Sequence, residues 1–249
     1  QRIIGQEEAI ATVAQTVQIA SAKLADPSKP RGVFLFLGPS GVGKTETALA
    51  LADCVYGSSK QLTTINMSEF KEEHKISMLA GAPPGYVGYG EGGVLTEAVR
   101  RQPYSLVLLD EMEKAHSGVQ EVFYQVFDKG MLKDGQGRDI DFKNTTIVMT
   151  SNACSDVIDE LYSDVTKLPS ENDINDALLP ALERVFKPAF LGRVTIVVYR
   201  PLSESAYQHI IDLKLQKIID RARDQQKIDL VFSDAIKVHL LQSSNVISI

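Results

Sequence analysis

The chain has 249 residues, 44% of them apolar and 23% charged, a formal net charge of −6 and two cysteines. That length fits one large domain, or one domain with a small companion. No apolar run approaches the roughly 20 residues a bilayer requires, no signal-peptide pattern opens the chain, and net acidity gives no bulk reason to bind nucleic acid.

The first residue is not Met, which reads as a piece of something longer. Cys54 and Cys154 lie far apart and read as free, buried thiols of a reducing cytoplasm. From Gln6 to Leu24 the residues Ala9, Ile10, Val13, Ala14, Val17 and Leu24 keep helical spacing. The stretch ADPSKPRG breaks that pattern. Val33–Leu37 (VFLFL) is the continuous apolar run of a strand covered on both faces, and TETALALADCVY follows as a helix with Ala48, Leu51, Ala52 and Val55 on one face.

Further strands are expected at LTTIN, at Ser105–Leu109, at Thr145–Thr150 and at Val194–Val198. A helix is expected over SGVQEVFYQVF, with Ser117 and Gln120 as a capping box. Thr166–Ser170 reads as a loop, and Ser203–Gln226 as a long helix carrying Ile211, Leu215, Ile218 and Ile219. Strands alternating with helices predict an α/β fold with a parallel five-stranded sheet flanked by helices, over residues 1–200. Residues 201–249 are expected to form a small, mainly helical and incomplete subdomain.

The chemistry concentrates at strand ends. Gly38-Pro39-Ser40-Gly41-Val42-Gly43-Lys44-Thr45 fits the phosphate-loop pattern G-x-x-x-x-G-K-[ST], after a predicted strand and before a predicted helix. Glycines let backbone N–H groups face phosphate oxygens, and the helix N-terminus adds its dipole. Lys44 is expected on the β- and γ-phosphates and Thr45 on Mg²⁺. SLVLLDE ends a strand in Asp110, a candidate to hold Mg²⁺ through water, and Glu111, a candidate to polarise attacking water; a solvated acidic pair is the plainer reading. Asn152 either holds that water or caps the next helix. Arg193 either satisfies local carboxylates or reaches a neighbouring subunit as an arginine finger.

The segment GAPPGYVGYGEGG, residues 81–93, is rich in glycine yet carries Tyr86 and Tyr89. A full phosphate site already stands at Gly38–Thr45, and no clear apolar helix is expected directly after this segment. A hinge explains the glycines but not the rings.

In order, RIIGQEEAI, GPSGVGKTETALALA, INMSEF, GAPPGYVGYGEGG, LTEAVRRQPYSLVLLDEMEKAH and DFKNTTIVMTSN resemble the AAA+ ATPases, and within them the second ATPase module of ClpB-type Clp chaperones. LADCVYG, FYQVFDKGMLKDGQGRDIDFKN and KPAFLGRVTIVVYRPLS look more like the ClpV branch of bacterial type VI secretion, as does Gly192 where the general disaggregase typically has Asn. The resemblance implies an AAA+ P-loop fold with part of a helical lid, ATP/ADP and Mg²⁺ as cofactors, a hexameric ring, and a bacterial cytoplasmic setting. It makes Asn152 the first sensor and Arg193 the trans-acting finger, and sets Ile3 and Ile4 in the adenine pocket. Gly85, Tyr86, Val87 and Gly88 become the axial pore loop that grips polypeptide.

The resemblance further implies ATP-driven threading, for disassembly of type VI sheaths recognised through N-terminal regions that this chain lacks. The alternatives are a general ClpB-like disaggregase module, or a nucleotide-binding oligomerisation fragment with little hydrolysis of its own. The family's Gly-Ala-Arg second sensor is not found before LLQSSNVISI, and neither is the loop tripeptide of ClpP-feeding members. The missing tripeptide speaks against a protease partner, and net acidity and the absence of a long apolar run leave no nucleic-acid or membrane partner expected.

Overall fold

The computed structural model describes residues 2–85, 90, 92–164 and 168–246, with side chains to residue 242. Five strands form one all-parallel sheet: β1 (Gly32–Leu37), β2 (Leu62–Asn66), β3 (Leu106–Asp110), β6 (Thr146–Ser151) and β7 (Thr195–Val198), in the order β2-β3-β6-β1-β7. The apolar runs read from the sequence are these strands, displaced by a residue at most. Strand β1 sits between β6 and β7, with Phe34 opposite both Val148 and Thr195. Its Phe34–Leu37 are fully buried. A parallel sheet with both faces covered needs such runs, and it brings all strand C-termini to one edge.

Helices α1 (Glu7–Ser21), α2 (Lys44–Tyr56), α4 (Val94–Arg101) and α5 (Val119–Lys129) pack around the sheet with α6 (Ser155–Leu161) and α7 (Glu171–Leu182). Two single-turn helices, α3 (Ser77–Ala80) and α8 (Pro188–Leu191), complete this part of the chain. A two-stranded antiparallel hairpin, β4 (Met131–Lys133) with β5 (Asp139–Asp141), lies outside the main sheet. Its strands are three residues each, and charges at Lys133, Arg138, Asp139 and Asp141 left it no apolar period in the sequence.

Four local expectations are corrected. Helix α1 ends at Ser21, short of Leu24, which is 77% exposed. Helix α5 starts after Gly118 with no side-chain cap. The Gln120 side chain, read as half of a capping box, is buried and used elsewhere: Nε2 donates to the Val185 carbonyl at 3.1 Å, and Oε1 accepts from the Lys187 N–H at 2.8 Å. A tertiary backbone thus outcompeted the local cap. Helix α4 does open directly after Gly93, contrary to the expectation of no helix there; its apolar face is only Leu95 and Val99, too sparse for a period to show. Finally, the cysteines are free but not buried. Helix α2 buries Thr47, Ala48, Leu51 and Ala52, and Cys54 lies off that stripe.

Backbone contacts divide the chain into two units, Gln6–Pro201 and Gln1–Gly5 with Leu202–Ile249. The second unit is built on α9 (Glu204–Gln226) and α10 (Asp234–Val246). Ser203 caps α9 by accepting from the Ala206 N–H at 3.2 Å, and Lys237 pairs with Asp212 at 2.9 Å across the two helices. Leu215 of the expected stripe is buried, whereas Ile218 is 44% exposed.

Candidate nucleotide site

The loop between β1 and α2 is held by its own shape and by two distant residues. Gly38 has φ 149°, and a Cβ there would lie 2.5 Å from the Tyr199 carbonyl oxygen, so only glycine lets the loop pass this close to the end of β7. Gly43, at φ 106°, is the left-handed residue that turns the chain into α2. Gln6, buried at the start of α1, donates from Nε2 to the Val42 carbonyl at 3.2 Å and to the Arg200 carbonyl at 2.8 Å. Its Oε1 accepts from the Arg200 N–H at 3.1 Å. One amide therefore ties the loop to the chain leaving β7.

Lys44 is buried, 8% exposed. Its Nζ donates to the carbonyls of Gly38 and Pro39, the latter at 2.7 Å, and to Asn152 Oδ1 at 2.8 Å. All three acceptors are neutral. Burial of the ammonium pulls its pKa down to about 8, against the opposing fields of the Glu113 and Asp110 carboxylates. A buried cation with only neutral contacts is a site for an incoming anion, which is the chemistry of a phosphate chain.

Across a cavity of about 370 Å³ stand the two acids. Asp110 ends β3, and its Oδ1 accepts from the Thr150 hydroxyl. The Glu111 N–H donates to Thr150 Oγ1 at 3.2 Å. Glu111 sits at φ 59°, a left-handed conformation uncommon outside glycine and asparagine. Its carboxylate pairs with Lys114 Nζ at 2.5 Å, and that contact raises the Lys114 pKa. Thr45, exposed at the first turn of α2, lines the same cavity. Thr45 and Asp110 fit a Mg²⁺ ion that would complete its oxygen shell with water and phosphate; no group of three or more His, Cys, Asp or Glu placed to hold a metal occurs among the described residues.

Asn152 follows β6, and its side chain turns to Lys44. The next helix, α6, takes Cys154 as its N-cap with no side-chain cap. The capping alternative for Asn152 is thereby set aside.

Arg193 is not in this cavity. It follows α8 and precedes β7, at the opposite end of the sheet from Lys44, roughly 15–20 Å away by the length of β1. Its Nε and Nη2 donate to the two oxygens of Asp128, both at 2.9 Å. A second cavity, of about 600 Å³, opens beside it.

Residues 29–197 match the AAA domain family, Cdc48 subfamily. The chain belongs to that family. It is 56% identical over 236 residues to the chaperone protein ClpB of Yersinia enterocolitica, covering 95% of this chain and 26% of that protein. It is 52% identical over 235 residues to the AAA+ ATPase ClpV1 of Pseudomonas aeruginosa, covering 94% and 26%, and 47% identical over 244 residues to ClpB 1 of Synechocystis sp., covering 98% and 27%. The chain spans about a quarter of the length of these relatives. It is an AAA+ module of the ClpB/ClpV type.

Within this AAA+ module the sequence reading missed Gln6, Thr150, Glu113 and Asp128. Gln6 and Thr150 act through distant backbone and side-chain partners, which no local pattern encodes. Glu113 has a buried Oε2 without a hydrogen-bond partner, and it stood in the sequence as one more acid of DEMEK. Ile3 and Ile4 are half-buried and belong to the helical unit. Gly85 is described, with φ 91° and open space around it; Tyr86, Val87, Gly88 and Tyr89 lie outside the described residues.

Proposed function

We propose that this AAA+ module binds ATP with Mg²⁺ at Lys44, hydrolyses it, and drives protein remodelling in a hexameric Clp-type ring. The observation that supports this reading best is the buried Lys44 ammonium, with only neutral contacts, facing Asp110 and Glu111 across one cavity. The loop N–H groups and Lys44 bind the phosphates, and Thr45 with Asp110 holds the metal, which neutralises charge on the transferred phosphoryl group. Glu111 takes a proton from the attacking water, having first released Lys114. Asn152 orients that water from its place beside Lys44. Arg193, too far to act within its own subunit, serves the site of the next copy. Ile3 and Ile4 contribute to the adenine pocket.

Tyr86, with Gly85, Val87 and Gly88, grips an extended polypeptide in the ring's axis, since an aromatic ring packs on any chain without needing a sequence. The substrate is the sheath of a type VI secretion system. Gly192 before Arg193 and the LADCVYG and FYQVFDKG stretches support that branch. The 56% identity to a ClpB supports the second reading, a general disaggregase.

Steady-state ATPase of the full-length protein against its own concentration tests the core of the reading. Cooperative activation is expected, because the catalytic site is completed between copies; turnover strictly proportional to protein would refute it. Depolymerisation of purified sheaths, set beside refolding of a heat-aggregated enzyme, separates the two substrates. Tyr86→Ala is expected to abolish either activity while leaving ATPase within about twofold.

A further inference from the structure

Asp128 takes up only part of the Arg193 side chain, and which part it takes is informative. A guanidinium has five N–H donors. Nε and Nη2 each give one to Asp128 at 2.9 Å, and Nη1 gives one to the Ala189 carbonyl at 2.6 Å. One N–H on Nη1 and one on Nη2 remain, donors that an incoming phosphate can take up. The plane of the group is fixed from above by the Tyr124 ring, whose centroid lies 5.1 Å from Cζ. Both charged side chains stay partly open to solvent, 34% for Arg193 and 43% for Asp128, so an incoming group can reach the free donors.

The clamp stands on rigid ground. Asp128 is in the last turn of α5, next to Phe127, which packs on Phe190 of α8 at 5.7 Å between ring centroids; Phe190 in turn stacks on Phe186 at 5.7 Å. Gly130 closes α5 by donating its N–H to the Val126 carbonyl at 2.9 Å. Helix α5 and the α8 turn are therefore locked together through buried rings, and the Asp128–Arg193 pair bridges them at the surface.

We propose that Asp128 is the positioning residue for Arg193, holding its guanidinium side-on so that the two remaining N–H groups are presented to the nucleotide phosphates of a neighbouring copy. This rests on reading Arg193 as a finger acting between copies. Asp128 itself touches no substrate. It replaces a floppy four-bond side chain by a pre-set fork, so that less freedom is lost when the neighbour docks. The contact also holds the Asp128 carboxyl below its usual range, so it stays charged at any pH where the ring works.

The test uses the full-length protein in four forms: unchanged, Arg193→Ala, Asp128→Ala and both together, with Asp128→Asn as a shape-preserving companion. Two quantities are read: turnover at saturating ATP, and ring assembly by sedimentation velocity with a slowly hydrolysed ATP analogue. Arg193→Ala and Asp128→Ala are each expected to lower turnover about tenfold or more and to weaken assembly together. The double variant is expected to fall no more than about twofold below Arg193→Ala, because one residue acts through the other. Asp128→Asn, which keeps one acceptor, is expected to lie between. KM for ATP is expected to stay within about twofold throughout. Losses that multiply in the double variant would show Asp128 acting on the fold, and the proposal would be wrong. Full turnover in Asp128→Ala or Asp128→Asn beside a damaged Arg193→Ala would likewise sink the proposal and leave the finger standing. Full turnover in Arg193→Ala would remove the finger reading itself.

Discussion

The two ends of the parallel sheet are built on opposite plans. At the C-terminal end of the strands the chain closes its polar groups on one another: Lys44 on Asn152 and the loop carbonyls, Thr150 on Asp110 and Glu111, Gln6 on the loop and Arg200. At the N-terminal end Arg193 is held by Asp128 and by the Ala189 carbonyl, with two of its five N–H donors left over. On the proposed reading the first end binds nucleotide with groups of its own subunit, and the second supplies Arg193 to a neighbouring copy. The difference teaches that a buried cation can wait for an anion only if neutral dipoles hold it, whereas an exposed one can be aimed by a carboxylate at small cost.

The sharpest way to break the contrast is to remove the cation at the closed end. Lys44→Ala is expected to weaken nucleotide binding about a hundredfold or more, measured by titration calorimetry. Unchanged affinity would mean the loop is not the phosphate site. Next in size, Glu111→Gln is expected to cut turnover by about 10²-fold or more with affinity for ATP preserved; normal steady-state ATPase would take Glu111 out of the base role. Thr150→Val keeps shape but strips the hydroxyl from both acids. It is expected to lower turnover about tenfold and to cost about 1–2 kcal/mol of stability in chemical denaturation, since the Glu111 N–H and an Asp110 oxygen lose their partner.

The smallest effect is a proton. With Lys44 near pKa 8 in the free site, phosphate binding restores its charge. ATP binding at pH 8 is therefore expected to take up about half a proton, and almost none near pH 6.5. Calorimetry in buffers of different ionisation heat reads this directly. The linkage to folding has a definite sign. The folded pKa lies below the ordinary 10.5, so the unfolded chain holds the proton more tightly between about pH 8 and 10.5. This group's contribution to stability rises with pH through that window and is lost as pH falls to 8.

Much of this was legible along the chain. Strands β1, β3 and β6 are continuous apolar runs because both their faces are covered, and burial on both sides leaves no alternative composition. The candidate phosphate loop was legible as a motif because its glycines, lysine and threonine fall within one short stretch, Gly38–Thr45. The hairpin β4–β5 and helix α4 were not, being too short and charged to carry a period. Nor was the true use of Gln120: it reads as a local cap, and only the approach of Val185–Lys187 diverts it.

By itself the sequence determined the sheet's composition, the glycine-rich loop after β1 and the acids at the end of β3, all properties of neighbours in the chain. Tertiary structure decided the rest. It brought Asn152 to Lys44 across 108 residues, Gln6 to Arg200 across 194 and Asp128 to Arg193 across 65. Each is one polar pair between elements whose mutual placement is set by the packing of apolar faces, and a polar pair of that kind leaves no mark on the residues beside it.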